Sequence, residues 1–318
     1  MRSSTFSSDL GGPNRAIAVL IALLLLYLAA LEFGTRWALP RISAGRHRQT
    51  VDGDAARQIG PGAPAGARSV LMVGNSLLEA GISRPEFRTA LAPQFTAVVF
   101  PVEGTTYWDW YFGLRRLFAE GARPQQVVVT MNVKQLLSNA TNGEQFARSM
   151  LRVTDLHQLS RAVHLDPMTA SNYFFATGSE WIGARASIRN ALLERWLPDA
   201  PLLVAHFPSG NPAAPSRDVD IEAALERVRG LRELCAAHGA GFAWLVPPSL
   251  NPADAAPQVA AAARRAGFTV LLPYPPATLA ATDFSDGFHL SAAGAARFTA
   301  AAAVELRRTL NAPGATVH

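Results

Sequence analysis

Five short apolar runs, rich in β-branched residues, most constrain what this chain can fold into: Ser69–Val73, Thr96–Phe100, Gln126–Met131, Phe242–Val246 and Phe268–Leu272. Between or after them come stretches with helical spacing, at Pro85–Ala92, Thr106–Glu120, Ile221–His238, Asp254–Ala266 and Ala292–Leu310. A continuous apolar strand is one buried on both faces, and strands that alternate with helices join as parallel neighbours. The pattern predicts a doubly wound α/β domain over 68–311, with a mostly parallel sheet between two helical layers. The gap between the third and fourth runs is long. Residues 133–217 read as a helical, irregular insertion, which in a parallel sheet forms a lid, a specificity subdomain or a structural cap.

Upstream the chain changes character. After an N-terminal tail (1–15), Ala16–Leu31 is sixteen residues without a charge. A membrane-spanning helix needs about 20 mainly apolar residues, with about 17 at the lower end. Extension through Gly34 reaches that length, with Glu32 near the interface and Trp37 in the interfacial belt. A cleaved signal peptide would have a shorter apolar core and a small-x-small site after it, which is not found here. We therefore expect a single uncleaved anchor over 16–34. Residues 35–67, polar and small and including "GPGAPAG", read as a linker without packed structure. A short tail, 312–318, ends the chain. Arg36, Arg41, Arg46, Arg48 and Arg57 follow the anchor and only Arg2 and Arg15 precede it, a count that by the positive-inside rule keeps the C-terminal domain cytoplasmic.

The formal charge of +5 raises the question of nucleic acid. The basic residues are almost all arginine, with Lys134 the one lysine, and they are scattered. No basic stripe with interleaved aromatics is present, so no nucleic-acid partner is expected. The single cysteine, Cys235, excludes an internal disulfide and reads as a small buried hydrophobe. No Gly-x-Gly-x-x-Gly or P-loop follows a strand, and no cofactor is expected. His157 and His164, seven apart, could share a helix face, but no carboxylate stands at metal-ligand spacing, and no metal site is expected.

Ligands of open α/β sheets bind beyond the carboxyl ends of the strands, so the polar residues there are the candidates for chemistry. The first run ends in Gly74-Asn75-Ser76, the second leads to Gly104, and the third to Asn132. After the fifth comes "DFSDGFHLSAAG", with Asp286 and His289. Alone, Ser76 reads as a turn or helix cap, Gly104 as turn geometry and Asn132 as a cap. Together they form a serine nucleophile, a histidine base, an aspartate that orients it, and donors for an oxyanion from the N–H of Ser76, the N–H of Gly104 and the Asn132 amide. Ser291 reads as the N-cap of the last helix. Leu77-Leu78 after the serine excludes the Gly-x-Ser-x-Gly elbow.

These blocks resemble the SGNH (GDSL-type) hydrolase superfamily. "VGNS" is similar to its first block through Ser76, "VEGTT" to its second through Gly104, "VVVTMN" to its third through Asn132 and "DGFHLSAAG" to its last through Asp286 and His289. The resemblance implies a flavodoxin-like α/β/α fold and a Ser76–His289–Asp286 triad with no cofactor. Two positions depart from the pattern: Asn75 replaces the usual aspartate, and Thr130-Met131-Asn132-Val133 replaces Gly-x-Asn-Asp. An anchor with a long insertion resembles the branch acting on extracytoplasmic glycans, including alginate O-acetyltransferases and teichoic-acid D-alanylation proteins. That implies an inner-membrane protein with a periplasmic domain, an esterase or O-acyltransferase acting on acyl, notably acetyl, esters of an envelope glycan, and a membrane partner that carries acyl groups. The alternative is a non-catalytic module of a polysaccharide-modification complex that keeps the fold.

Overall fold

The computed structural model describes residues 13–60, 66–196 and 219–311. Its centre is a five-stranded, all-parallel sheet of β1 (Arg68–Gly74), β2 (Phe95–Pro101), β3 (Gln126–Thr130), β4 (Gly241–Leu245) and β5 (Val270–Leu271), in the order β2-β1-β3-β4-β5. β1 is central, and its last residue, Gly74, pairs with Pro101 on one side and Thr130 on the other. The order reverses at β1, so the crevice beside its carboxyl end is where an α/β sheet places a ligand.

Alternation along each strand feeds two cores. Leu71, Val73, Val127, Val129 and Trp244 face one layer, while Val70, Met72, Val128, Ala243 and Leu245 face the other. In chain order the helices begin with α1 (Pro13–Ile42), α2 (Ala44–Gln58), α3 (Ser76–Gly81), α4 (Arg84–Leu91) and α5 (Tyr107–Ala119). The insertion supplies α6 (Val133–Leu136), α7 (Gly143–Ser149), α8 (Leu156–Val163), α9 (Pro167–Gly178) and α10 (Glu180–Trp196). α11 (Ile221–Ala237), α12 (Ala256–Arg265) and α13 (Ala292–Leu310) complete the chain. Phe112, Leu114 and Phe118 of α5 join Val228 and Leu231 of α11 over one face. Phe87 and Leu91 of α4 pack with Phe298, Ala302 and Leu306 of α13 over the other. Phe298 has no solvent exposure and lies where a side chain at Gly81 would be, which is why α3 can seat directly on α13.

The N-terminal region differs from the expected linker. α1 is long and apolar enough to cross a membrane over Arg15–Leu39, but it continues unbroken to Ile42. Residues 44–58 then form α2, capped by Ser43 and packed on the edge strand β2. The face it buries is built from Gly53, Ala56 and Ile59, with Gly53 against the ring of Phe100. Small residues allow the close approach, and because they carry little side chain they leave no apolar periodicity to read. The "GPGAPAG" stretch lies almost wholly outside the described residues, as do the two tails' outer parts and the end of the insertion beyond Trp196.

α1 is also fastened to the insertion. Glu32 accepts hydrogen bonds from Ser179 Oγ (2.8 Å) and from the backbone N–H of Glu180 (2.9 Å) and Trp181 (3.2 Å), so a carboxylate of α1 caps the start of α10.

Candidate active site

β1 turns into α3 through three small residues, each with a separate reason. At Gly74 a Cβ would fall 2.6 Å from the Thr130 carbonyl oxygen and 3.0 Å from Leu78 Cβ, so only glycine lets the strand pass β3 and turn. Asn75, almost fully buried, is the N-cap, its Oδ1 accepting from Leu77 N at 3.0 Å. Its Nδ2 donates to the Thr105 carbonyl, also at 3.0 Å, which ties this turn to the loop after β2. Ser76 is then the first residue of α3, half-buried at the sheet edge.

The other half of the site comes from the loop before α13. Asp286 Oδ1 accepts from the N–H of Phe288 (2.9 Å) and His289 (2.6 Å), and Gly287 takes the left-handed φ of +81° that this turn requires. The turn aims the imidazole of His289 at α3. His289 Nε2 lies 3.0 Å from Ser76 Oγ, and His289 Nδ1 lies 2.7 Å from Asp286 Oδ2. Hydrogen bonds from the His289 ring and from two backbone N–H groups hold the Asp286 carboxyl well below the usual carboxylate range. It is therefore ionised, Nδ1 carries the proton, and Nε2 is the lone pair that faces the serine. The side chains of His289 and Asp286 are 31% and 54% exposed, so the relay opens directly to solvent.

The loop has its own support, which the sequence did not reveal. Asp283, buried, accepts two 2.8 Å hydrogen bonds from Arg297 Nη1 and one from Ala280 N. Ser291 caps α13, and at Gly294 a Cβ would fall 2.1 Å from the Asp283 carbonyl oxygen. The spacing of Asp283 and Gly294 to either side of the histidine was a signal, but only the fold shows that the two meet.

Gly104 and Asn132 arrive from the strands that flank β1. Asn132 N-caps α6 in a reciprocal box: its Oδ1 accepts from Gln135 N (2.8 Å), and Gln135 Oε1 accepts from Asn132 N (3.0 Å). The cap fixes the amide's orientation, and among the described residues Nδ2 has no acceptor. Gly104 has φ +71°, and a Cβ there would lie 3.3 Å from the Asn142 amide of the insertion. Asn142 Nδ2 donates to the Glu103 carbonyl at 2.7 Å, and Asn142 N to Asp109 Oδ1 at 2.9 Å. Asp109 also accepts from Thr106 N at 2.7 Å. Asp109 has no solvent exposure, and burial pushes its carboxyl up to about 7 against those hydrogen bonds. The Gly104 loop is thus held between the buried Asp109 carboxyl and the insertion.

Of the remaining histidines, His206 and His318 lie outside the described residues. His157 is on α8, but His164 is the left-handed cap that ends it, so the two do not share a helix face. His238 stacks on Phe118. Among the described residues no group of three or more His, Cys, Asp or Glu side chains is arranged to hold a metal. Cys235 is buried.

No family model and no curated protein matches this chain. Solved structures that resemble it include TesA, 13% identical over 77% of this chain and 98% of its own, with a TM-score of 0.35. Another is LAE5, an alpha/beta hydrolase enzyme from the metagenome of Lake Arreo, Spain, 11% identical over 81% of this chain and 100% of its own, with a TM-score of 0.39. A likeness at that level says nothing of a shared site, and the geometry at Ser76 stands by itself.

Proposed function

We propose that this chain is a membrane-anchored serine acyl-transfer enzyme of the SGNH type. The observation that carries the reading is the unbroken relay of Ser76 Oγ, His289 and Asp286 at 3.0 and 2.7 Å. In the proposed cycle Ser76 Oγ attacks an ester carbonyl while His289 Nε2 takes its proton. The oxyanion forms among the N–H groups of Ser76 and Gly104 and the Asn132 Nδ2–H. Its collapse expels the alcohol, protonated by the imidazolium, and leaves an acyl-Ser76 ester. Water or a sugar hydroxyl then gives its proton to His289, attacks that ester, and restores the serine. Asp286 keeps the imidazole in one tautomer and stabilises its charged form.

The substrates we assign are acyl, notably acetyl, esters of an envelope glycan, with the domain on the extracytoplasmic side of the inner membrane and a membrane partner delivering acyl groups. Support for the anchor is the apolar length of α1. The arginine count after α1 points to the other side, although long domains cross largely regardless of such charge. The experiment has two parts. A fluorophosphonate probe should label the full chain at Ser76 and fail to label Ser76→Ala. Acetyl-ester release should then be measured with and without a glycan acceptor. A folded protein that takes up no probe would overturn the enzyme reading in favour of a non-catalytic module.

A further inference from the structure

At the carboxyl end of β2, α2, α3, the start of α4 and the insertion border a half-open cavity of about 200 Å³, lined by neighbours of Ser76 and Gly104 in sequence and not by those residues themselves. We infer that this cavity is a subsite for a neutral, polyhydroxylated ligand, a sugar ring being the type; that the ligand is the hydroxyl partner in acyl transfer rests on the reading of Ser76 as nucleophile. The cavity lies at the carboxyl edge of the sheet, where α/β folds place ligands. Its wall includes Glu79, three residues after Ser76 on α3, and Glu103, the neighbour of Gly104.

The lining decides the chemical class. Three guanidinium groups, from Arg46, Arg48 and Arg84, stand among three carboxylates, from Asp52, Glu79 and Glu103. An anion would meet as many negative charges as positive ones. An acyl chain would find Pro101 and Val102 but no continuous apolar wall. A hydroxyl both donates and accepts, so it can use a carboxylate and a guanidinium side by side. Four of these groups are already held in place: Arg84 pairs with Asp52 at 2.9 Å and with Glu79, and Arg48 pairs with Glu79 at 2.9 Å. Little ordering remains to be done when a ligand enters.

Gln49 of α2 adds an independent mark. Its Oε1 accepts from Arg46 (3.2 Å) and Gln145 (3.4 Å). Its Nε2 is shut away from solvent and has no acceptor among the described residues. A buried donor without a partner is unusual in a native fold, and a turn of the Gln49 side chain toward the cavity would let a ligand hydroxyl oxygen supply the acceptor it lacks. The cavity owes its far wall to α2 and the insertion, joined to each other by the Arg46–Glu180 pair. Neither belongs to the parallel sheet, and together they convert an open edge into a pocket.

The test uses the full chain in lipid nanodiscs, free of sugar detergents, with methyl β-glucoside as the probe and saturation-transfer NMR as the readout. Saturable transfer to the glucoside is expected, uncompeted by octanoate or inorganic phosphate at equal concentration. Asp52→Asn and Glu103→Gln should each weaken binding about tenfold, while Ser76→Ala binds as the wild type. A thermal melt of each variant separates lost binding from lost fold. Glu103 is exposed and its side chain has no hydrogen-bond partner among the described residues, so Glu103→Gln decides the matter if Asp52→Asn unfolds. No saturable glucoside signal, competition by octanoate or phosphate, or unchanged affinity in Glu103→Gln would overturn the inference. Glucoside binding to a wild type whose Ser76 takes no fluorophosphonate would sink the catalytic reading and leave the subsite standing.

Discussion

The side chain of Asn75 donates from Nδ2 to the carbonyl oxygen of Thr105, 3.0 Å away, inside the protein. The first block of the resembling superfamily has aspartate at this position, and a carboxylate cannot make that bond. Asn75→Asp would keep the helix cap, since Oδ1 still accepts from Leu77, but would set a buried charge against a carbonyl. We expect it to lower stability by about 1–3 kcal/mol, read as a drop in melting temperature. An unchanged melt would show that the amide donor does not matter.

Asn132 allows its two roles to be separated. Asn132→Asp preserves the acceptor that caps α6 and removes the Nδ2–H that the proposed mechanism assigns to the oxyanion. On the proposed mechanism kcat for acetyl-ester hydrolysis falls about 10²–10³-fold with KM little changed. The melting temperature should stay near wild type, because the cap is intact. A large loss of stability with normal kcat would assign the residue to the cap alone.

Asp109 gives a pH signature. Its folded-state value, near 7, lies above that of an unfolded carboxyl, so the native state holds the proton that the unfolded chain gives up. The contribution of this group is therefore fully present below about pH 4, the ordinary aspartate value, and is lost as pH rises through about 7. Melts of wild type and Asp109→Asn across pH 4–8 isolate the group, since all other titrations cancel in the difference. Wild-type stability should fall relative to the variant as pH rises through that window. Parallel curves would mean that Asp109 does not change protonation there.

Glu32 predicts a local effect far from the chemistry. Glu32→Ala removes the cap that α1 places on Ser179, Glu180 and Trp181, a loss of about 0.5–2 kcal/mol by analogy with helix N-caps. Hydrogen exchange of the first-turn amides of α10 should accelerate while those of β1 and β3 do not change. Equal protection in the variant would show that α10 is held by its packing alone.

The sheet was legible because buried parallel strands leave nearly continuous apolar runs. The ends of the observed strands fall within one residue of Ser69–Val73, Thr96–Phe100, Gln126–Met131 and Phe242–Val246, and β5 alone is much shorter than its run. α2 was not legible, because Gly53 and Ala56 bury by being small. The residues that meet at Ser76 could be nominated from their order at successive strand ends, but their distances are tertiary facts. Asp109 and Asn142 carry no local motif pointing to Gly104. They act there only because the insertion folds back over the loop after β2. Asp283 and Arg297 lie on opposite sides of His289 in sequence, and only the loop that turns back ahead of α13 brings them face to face.

The continuity of α1 from Pro13 to Ile42, with Glu32 fastened to α10 and α2 returning along β2, leaves no swivel between the apolar segment and the sheet. With α1 in a bilayer, the mouth at Ser76 is held at one height and one heading, as a fixed bracket holds a tool. Reach is then set by the fold instead of by the slack of a chain: on the proposed function, a polymer would have to bring its esters to that level, and a partner handing over acyl groups would have to open onto the same level.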